Sequence, residues 1–398
     1  MVCTLVVNFS RNMAKMLKLN DTLNTFYMKW ARSKKDAVGN TKLRNYIDEV
    51  LKTVGEKSPR FKPKDVILVG STASGVSAIR EQEMDRLVLI DINGEVENVA
   101  DLHEFAKLKL DRSVQGQWTD CIDADRYLQP RKVAKMFRKS IEEASKSVID
   151  SNPSGYSGID DPAKEIAVGG DYSVAVPISG VFGPNNWAFG KTKCDIVLEI
   201  DFKKFPPTDL PRWLVQPNEE QWPSIATVNK IKNIDGYGLV AKNLHDASYE
   251  SLLWQYSVSR AESRILKECP DQLIYKKLLI ILKAVRLFEI PETKLEQNPP
   301  ITSYHMKTII LQEAHSYPDP NEWVENKLGE RFISAVNRLL TNINIGKLPH
   351  FFFPKVNLFK IDPSEMVPRL NEIVEDPITY LEKLIALKKA PFEGQTRV

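Results

Sequence analysis

The local sequence pattern changes part-way along this 398-residue chain. Up to about residue 202, short apolar runs rich in Val, Ile and Leu alternate with helical patterns, which predicts strands mixed with helices. From about Ser248 onward the pattern becomes helical, which predicts a helical region. The pattern therefore predicts a two-lobed α+β protein, and a cleft between lobes is a common place for a ligand.

Individual elements can be placed within each lobe. Apolar runs predict strands at residues 66–69, 84–92, 172–181 and 194–202. Helical spacing predicts helices at residues 12–57, 133–149, 254–267, 272–288, 302–315, 321–343 and 364–388. Prolines between Pro206 and Pro223 are typical of a linker. We therefore predict an α/β lobe over residues 1–245, with a long N-terminal helix, and a helical lobe over residues 246–398.

Composition excludes several classes of protein. With 42% hydrophobic and 27% charged residues, the chain is typical of a folded protein and unlike a disordered or low-complexity one. No apolar run reaches the ~18 residues of a membrane span, and the short apolar N-terminus lacks the flanks of a secretory signal. The four cysteines lie far apart without a CxxC pair, so neither a zinc ribbon nor a disulfide framework is predicted. A reducing, cytoplasmic location fits these features.

Charge is distributed unevenly although the net charge is only +3. The segment from Arg11 to Lys64 contains 14 Lys and Arg residues against 5 Asp and Glu residues. Such asymmetry indicates a polyanionic partner, but solvated helix faces would produce the same pattern. Charge alone leaves both interpretations open.

A carboxylate pair follows a small-residue turn in the first predicted hairpin. Gly70 and Ser71 end the first strand, where small residues let a triphosphate approach. Glu83 and Asp85 are two residues apart on the second strand, so both carboxylates point to one face. Two acids on one face repel unless a cation lies between them, and Mg²⁺ prefers such ligands.

A third carboxylate lies on a later strand. Asp195 stands beside an apolar run, where a charge is costly unless it is paired or binds a metal. Three carboxylates on neighbouring strands suit two-metal phosphoryl transfer. Glu199 and Asp201 compete for this third role, but they follow the apolar run and are interpreted as rim residues. Taken singly, each motif could also be an ordinary turn or surface charge.

These motifs and several later segments resemble the cGAS-like receptors, within the cGAS-type nucleotidyltransferase superfamily. The matching features are Gly70-Ser71, Glu83-x-Asp85, Asp195, Trp254-Gln255-Tyr256-Ser257-Val258-Ser259, Lys283, Ser303-Tyr304-His305-Met306-Lys307-Thr308, Leu348-Pro349-His350-Phe351-Phe352 and Asn357-Leu358-Phe359. The resemblance covers roughly residues 35–385. It implies a bilobed α+β nucleotidyltransferase fold, with a mixed β-sheet catalytic lobe, a long spine helix and a C-terminal helical lobe.

The resemblance also implies an activity. Family members are innate immune sensors in antiviral defence that join ATP and GTP, or a related pair, into a cyclic dinucleotide (cGAMP type) that activates STING. The resemblance implies that Glu83, Asp85 and Asp195 bind two Mg²⁺ or Mn²⁺ ions. It implies phosphate contacts for Gly70, Ser71, Lys283 and Ser303. It also implies base stacking on Tyr304 and a base contact for Gln255, at a position where the family often has arginine. From the residues alone, Lys283 could be a core-edge lysine and Tyr304 a packed aromatic. His305 is interpreted as structural, and Ser257 and Ser259 as possible helix caps.

One departure from the family bears on the activating ligand. The vertebrate DNA sensor has a His/Cys zinc insertion, whereas residues 266–271 here contain one cysteine and no histidine. No structural zinc is predicted, as in invertebrate members, some of which respond to double-stranded RNA. We therefore predict double-stranded RNA rather than DNA as the activator, with a possible dimer on the nucleic acid. The predicted contacts are Lys34, Lys35, Lys42, Arg44, Lys276 and Lys277.

Two other functions remain open on the sequence. A catalytically silent relative could act as a nucleic-acid- or protein-binding scaffold, and a linear, oligoadenylate-type nucleotidyltransferase could use the same metal site. The presence of Glu83, Asp85 and Asp195 argues against the first. The Ser303-Tyr304-His305 segment favours the cyclic family over the second.

Overall fold

A mixed β-sheet forms the centre of the N-terminal lobe. The computed structural model describes residues 2–32, 37–78, 84–153, 174–178, 192–203, 205, 209–242, 252–290 and 299–387. Within these ranges the strands are β1 (Asp65–Val69), β2 (Met84–Ile90), β3 (Gly94–Asn98), β4 (Phe105–Leu110), β5 (Val174–Ile178), β6 (Thr192–Phe202), β7 (Tyr237–Ala241) and β8 (Trp254–Ser257). Their order is β1-β2-β6-β7-β8-β4-β3, and β5 also pairs with β6. Strands β2 and β6 are parallel, whereas β1 and β2 form the predicted antiparallel pair.

The two faces of this sheet have different surroundings. Val88, Ile196 and Ile200 belong to the main hydrophobic core, which continues into the helical lobe. Leu87 and Val69 form a small separate apolar cluster on the opposite face. Because strand side chains alternate, Asp85 lies on the same face as Leu87. Asp85 thus lies on the face that is not filled by the main core.

Twelve α-helices surround the sheet and build the C-terminal lobe within the described ranges. They are α1 (Val2–Phe26), α2 (Ala37–Lys57), α3 (Gly70–Ser74), α4 (Pro130–Ser151), α5 (Arg212–Val215), α6 (Ile225–Lys230), α7 (Ser259–Glu268), α8 (Tyr275–Glu289), α9 (Ser303–Ser316), α10 (Leu328–Ile345), α11 (Val367–Glu375) and α12 (Pro377–Ala386). Helices α4, α8 and α9 confirm three of the predictions closely. No described helix is both long and apolar enough for a membrane span.

Two predicted long helices are divided in the structure. The predicted helix over residues 12–57 ends in a π-turn at Tyr27–Ala31, and Arg32 has an extended backbone (φ −71°, ψ 118°) before α2 begins. The predicted helix over residues 364–388 is divided at Asp376, which caps α12 by accepting from the Thr379 backbone. Pro377 occupies the first turn of α12, where its missing N–H costs nothing.

The N-terminal helix α1 packs on the helical lobe. Its Asn20 amide donates to the Asn326 carbonyl at 2.8 Å, and the Trp30 indole that follows donates to the Leu384 carbonyl at 2.9 Å. Helix α2 instead packs on α4, beside the sheet. The N-terminal helical segment therefore contacts both lobes.

The predicted helix over residues 254–267 begins too early. Residues Trp254–Ser257 form strand β8, and only Ser259–Glu268 is helical. Trp254 and Tyr256 alternate onto the buried face, which favours a strand. The sheet thus extends beyond residue 245, the predicted lobe boundary. The sequence pattern did not predict strands β3, β4 and β7.

The proline-rich stretch is packed, so its interpretation as a linker is wrong for its described part. Trp213, in α5, is buried and its ring stacks on Phe351 of the helical lobe, with 4.8 Å between centroids. Trp222 stacks on Tyr275 at 5.8 Å. These aromatic contacts tie residues 209–223 to the C-terminal lobe.

Candidate active site

The turn after β1 is shaped around the Asp85 carboxylate. Gly70 begins α3 with φ +72°, a conformation that favours glycine. Val69 lies opposite Asp85 in the β1–β2 pair. A Cβ at position 70 would overlap the Asp85 side chain. The glycine therefore permits both the turn and the close approach of the carboxylate to the backbone.

Asp85 and Asp195 are brought side by side by the parallel pairing of β2 and β6. The register places Asp85 directly opposite Asp195. Paired positions on adjacent strands point to the same face and lie about 5 Å apart at Cα. Glu83, the third predicted ligand, lies outside the described residues. The sheet thus makes Asp85 and Asp195 neighbours on one face, and their role as metal ligands stays a prediction.

A lysine from the helical lobe reaches the turn that carries Ser71. Lys283, on α8, is only 2% exposed, and its ammonium donates to the Ser71 hydroxyl at 2.6 Å and the Val76 carbonyl at 3.1 Å. These contacts hold a positive charge next to the turn predicted to bind phosphate. The alternative of a core-edge lysine that extends to solvent does not fit such burial.

One cavity of about 310 Å³ collects most of the predicted nucleotide contacts. Its wall includes Gly70, Ser71, Asp85, Lys283, Ser303, Tyr304, Ser257, Ser259, Glu262 and Lys307. These residues come from β1–α3, β2, β8 and α7 at the sheet and from α8 and α9 of the helical lobe. The cavity therefore lies between the two lobes, where the sequence predicts a ligand cleft.

Tyr304 lines this cavity, and hydrogen bonds fix its hydroxyl. Its O–H donates to the Glu262 carboxylate at 2.6 Å, and Lys307 donates to the other Glu262 oxygen at 2.5 Å. The Lys307 ammonium also lies 4.5 Å from the centre of the Tyr304 ring. Burial, followed by the nearby Glu262 charge, raises the pKa of Tyr304 well above its ordinary value, so the phenol stays protonated.

Two family models match the chain in tandem. The Mab-21 protein nucleotidyltransferase domain matches residues 77–268, and the Mab-21 protein HhH/H2TH-like domain matches residues 275–376. The chain carries both domains of the Mab-21 family. This is the family of the cGAS-like fold, so the predicted bilobed nucleotidyltransferase fold is confirmed and nucleotidyltransferase activity is supported. Membership of the cGAS-like receptors stays a prediction.

The Mab-21 nucleotidyltransferase domain has a donor set that fits a divalent metal. Nucleotidyltransferases generally use Mg²⁺ or Mn²⁺, and both ions prefer carboxylate oxygens. Asp85 and Asp195 supply such oxygens from register-paired positions, and Gly70 leaves the Asp85 carboxylate the space that a side chain would fill. The residues present therefore fit the ion that this class of domain uses.

The structure separates the roles of Ser257 and Ser259, in the nucleotidyltransferase domain, from that of His305, in the HhH/H2TH-like domain. Ser257 and Ser259 do not cap α7, because its N-cap position is Val258 and has no side-chain hydrogen bond. Both serines line the cavity instead. His305 is structural, as predicted: its ring nitrogens contact the Thr302 backbone N–H at 3.1 Å and the Leu358 carbonyl at 3.1 Å.

Glu199 and Asp201 are not rim residues. Both are buried on the cleft side of β6, and Arg260 from α7 lies between them, 2.9 Å from a Glu199 oxygen and 2.8 Å from an Asp201 oxygen. Burial raises the pKa of Glu199 to about 6 against the opposing effect of Arg260. Burial alone would raise the pKa of Asp201 too, but hydrogen bonding from Lys64 and the Arg260 charge lower it. The two acids thus join the sheet to α7.

Gln255 lies on β8 beside the cavity rather than in its wall. Its amide donates to the Glu104 carboxylate at 3.1 Å, and Lys360 donates to the other Glu104 oxygen at 2.9 Å. The base contact assigned to Gln255 by the resemblance stays a prediction.

The predicted nucleic-acid contacts are only partly described. Lys34 and Lys35 lie outside the described residues, while Lys42 and Arg44 lie on α2, where the Arg44 side chain is exposed. Lys276 and Lys277, at the start of α8, form ion pairs with Asp271 at 2.8 Å and Glu325 at 2.6 Å. Ion pairs of this kind near the surface contribute little free energy, so both lysines can exchange these partners for others.

Sequence reasoning missed Glu262 and Lys307 as cavity residues. Lys307 belongs to the same Ser303–Thr308 segment as Tyr304, so the sequence could have indicated that it lies beside Tyr304. The sequence signal for Glu262 is weaker: it is a charged residue four positions before the apolar Leu266, on the same face of α7. In the structure that face points inward, and Glu262 is only 3% exposed. A buried acid on an inward helix face requires a partner, which here is Lys307.

Replacing Gly70 by alanine is expected to lower the rate of nucleotidyl transfer by about 10-fold to 100-fold. A shift of about 1 Å in the position of a reacting group can lower a rate by that much. The new methyl group would displace the Asp85 carboxylate. Initial rates with Mg²⁺ and both nucleotides measure the effect. Gly75→Ala is the matched control, since Gly75 has φ +70° but open space around its Cβ position. Equal losses in both variants would show that backbone strain, and not Asp85, causes the defect.

Proposed function

We propose that this protein is a nucleic-acid-activated synthase that joins ATP and GTP into a cyclic dinucleotide of the cGAMP type, as an innate immune sensor that signals through STING. The observation that carries the proposal is the convergence of Asp85, Ser71 and Lys283 on one cavity between the lobes. A cleft with the Asp85 carboxylate on one wall, next to Asp195 in the sheet, and a buried ammonium on the other suits a metal-bound triphosphate.

The residues of the predicted site have distinct roles in this proposal. Glu83, Asp85 and Asp195 would hold two Mg²⁺ or Mn²⁺ ions, which supply charge neutralisation and a more acidic attacking hydroxyl. Lys283 neutralises a phosphate oxygen, and its contact with Ser71 already directs it to that turn. Ser71 and Ser303 offer hydroxyl donors to phosphate. The Tyr304 ring offers a face on which a base of either nucleotide can stack.

Identification of the products tests the proposal against its rivals. The purified protein is incubated with ATP, GTP and Mg²⁺, with and without double-stranded RNA, and the products are separated by chromatography. A cyclic dinucleotide that appears with RNA supports the proposal. Linear oligonucleotides would favour an oligoadenylate-type enzyme, and the absence of any product under all conditions would favour a silent scaffold. A parallel reaction with double-stranded DNA tests the choice of activator.

Activation by duplex RNA is proposed to require the basic residues of α2. Lys42→Glu with Arg44→Glu is expected to abolish stimulation while unstimulated synthesis persists, because α2 packs on α4 and the core rather than on the cavity. Each phosphate contact contributes about 0.9 to the slope of log affinity against log salt in B-DNA, and each lost charge should flatten the slope by about one unit. Product formation and binding are measured against RNA concentration at several salt concentrations.

A matched pair of charge reversals controls for the change in net charge. Lys139 and Lys146 lie on the exposed face of α4, and Lys139 pairs only loosely with Glu143 at 3.8 Å. Lys139→Glu with Lys146→Glu should keep full stimulation. Equal stimulation of the α2 variant and the wild-type protein at moderate salt would exclude this surface from RNA sensing.

A further inference from the structure

A buried histidine outside the cavity has its tautomer fixed by the backbone. The Nδ1 atom of His350 lies 2.9 Å from the Phe352 backbone nitrogen and 3.1 Å from that of Phe353. Backbone N–H groups only donate, so Nδ1 accepts and carries no proton. Burial lowers the pKa of His350 to about 4, so the ring is neutral near pH 7 and its proton is on Nε2.

The Nε2–H of His350 points to the hydroxyl of the cavity tyrosine. The distance from Nε2 to the Tyr304 oxygen is 2.8 Å. The single phenol hydrogen is already donated to Glu262 at 2.6 Å, so the same oxygen accepts from His350. Lys307 donates to the second Glu262 oxygen at 2.5 Å. The four side chains form a directional chain in which each hydrogen bond sets the direction of the next.

The two ends of this series of hydrogen bonds lie on different sides of the cavity wall. Tyr304, Glu262 and Lys307 line the cavity, whereas His350 is 8% exposed and does not. His350 contacts Tyr304 at its hydroxyl end, and the Phe353 ring lies 5.0 Å from the imidazole. A network in which all members are satisfied holds its side chains more rigidly than isolated contacts do. The residue that supports the cavity tyrosine is thus held by packing outside the cavity.

We propose that His350 is a positioning residue for nucleotide binding, which acts through Tyr304 to hold the aromatic ring and the Glu262 carboxylate in the orientation that receives a nucleobase. The inference rests on the proposed function, since it concerns the same cavity. It differs from a purely structural role, in which His350 would only close the turn over residues 350–353. The two roles use different ring nitrogens, so they can be separated by substitution.

Two substitutions divide the functions of the ring. In His350→Asn the amide oxygen can still accept from Phe352 and Phe353, but no donor reaches Tyr304. In His350→Gln the longer amide can still donate to Tyr304. Affinity for the α,β-methylene analogues of ATP and GTP is measured by calorimetry with Mg²⁺. We expect His350→Asn to weaken binding about 3-fold to 10-fold, the effect of one hydrogen bond, and His350→Gln to stay within about 2-fold of wild type.

Tyr304→Phe supplies the decisive background because it removes the acceptor hydroxyl and keeps the ring. If His350 acts through that hydroxyl, His350→Asn should have no further effect on affinity in Tyr304→Phe. An equal loss of affinity in both backgrounds, or no loss in either, would overturn the inference. Should His350→Asn fail to fold, Tyr304→Phe alone is compared with the wild-type protein: an affinity within about 2-fold of wild type overturns the inference, because the hydroxyl through which His350 acts is then dispensable.

A measurement without ligand separates this inference from the proposed function. Nitrogen NMR of ¹⁵N-histidine-labelled protein, with His350→Gln to assign the signal, should show an unprotonated Nδ1 and a protonated Nε2 between pH 6 and 8. A proton on Nδ1 would overturn the inference even if cyclic dinucleotide synthesis is established. A wild-type protein that has the expected tautomer but binds neither analogue would overturn the proposed function, and with it the role of His350 in nucleotide binding.

Discussion

Replacing Asp85 by asparagine is expected to reduce nucleotide transfer more than 100-fold. Loss of a residue that only supports a metal ligand typically costs about 10-fold to 100-fold, so loss of the ligand itself should cost more than about 100-fold. Asparagine has the same shape but lacks the charge that a divalent ion requires. Initial rates of product formation with Mg²⁺, and again with Mn²⁺, measure the effect. The thermal midpoint of unfolding should change little, because the substitution is isosteric.

Asp91→Asn is the matched control for this variant. Asp91 follows the end of β2, its side chain is 59% exposed, and it pairs with Lys64 at 2.7 Å outside the cavity. An exposed pair contributes at most about 1 kcal/mol, so this variant should fold and act like the wild-type protein. Near wild-type synthesis by Asp85→Asn would show that Asp85 does not bind the catalytic metal. Equal loss in both variants would indicate a general effect of charge removal.

Replacing Arg260 by methionine is expected to lower the free energy of unfolding by about 3–5 kcal/mol at pH 8, the usual cost when one partner of a buried ion pair is removed. Arg260 is the cation that lies within 2.9 Å of both Glu199 and Asp201, and its Nη2 donates to the Tyr237 carbonyl at 2.7 Å. Urea unfolding followed by fluorescence measures the change. Lys267→Met, an exposed position on the same helix, should change stability by no more than about 0.5 kcal/mol.

The destabilisation of Arg260→Met should depend on pH in a defined direction. Burial already raises the pKa of Glu199 to about 6 in the presence of Arg260, and loss of the guanidinium raises it further. A carboxyl whose folded pKa exceeds its unfolded value stabilises the fold at low pH, and that contribution is lost as pH rises through the folded pKa. The variant should therefore lose less stability at pH 5 than at pH 8. Adding Glu199→Gln should reduce this pH dependence, and an unchanged dependence would contradict the assignment to Glu199.

Much of the site could be predicted because its residues follow local rules. Gly70 and Ser71 stand at a strand end, and Asp85 lies on the next strand, so period-two alternation and the turn residues predict their face and proximity. Helices α4, α8 and α9 were placed closely because helical periodicity is a local property of sequence. Lys283 and Tyr304 could be assigned to nucleotide contacts by resemblance, and the structure places both in the cavity wall.

The errors arise where a residue's environment depends on a distant partner. Trp254–Ser257 has a short pattern that suits a helix start or a strand, and pairing with β7 and β4 decides for the strand. Glu199 and Asp201 look like surface acids until Arg260 supplies a buried counter-charge. Local patterns contain no information on such partners, so tertiary structure overrides the prediction.

The sequence by itself therefore determined the fold class, the order of sheet and helical lobe, and the position of Asp85 near the turn at Gly70 and Ser71, because periodicity and motif spacing act over a few residues. Only the tertiary structure decided which side chains these residues contact. Lys283 meets Ser71 across 212 positions of the chain, and His350 meets Tyr304 across 46. Contacts over such separations depend on how the lobes pack, and local sequence patterns do not specify which distant side chain becomes the partner.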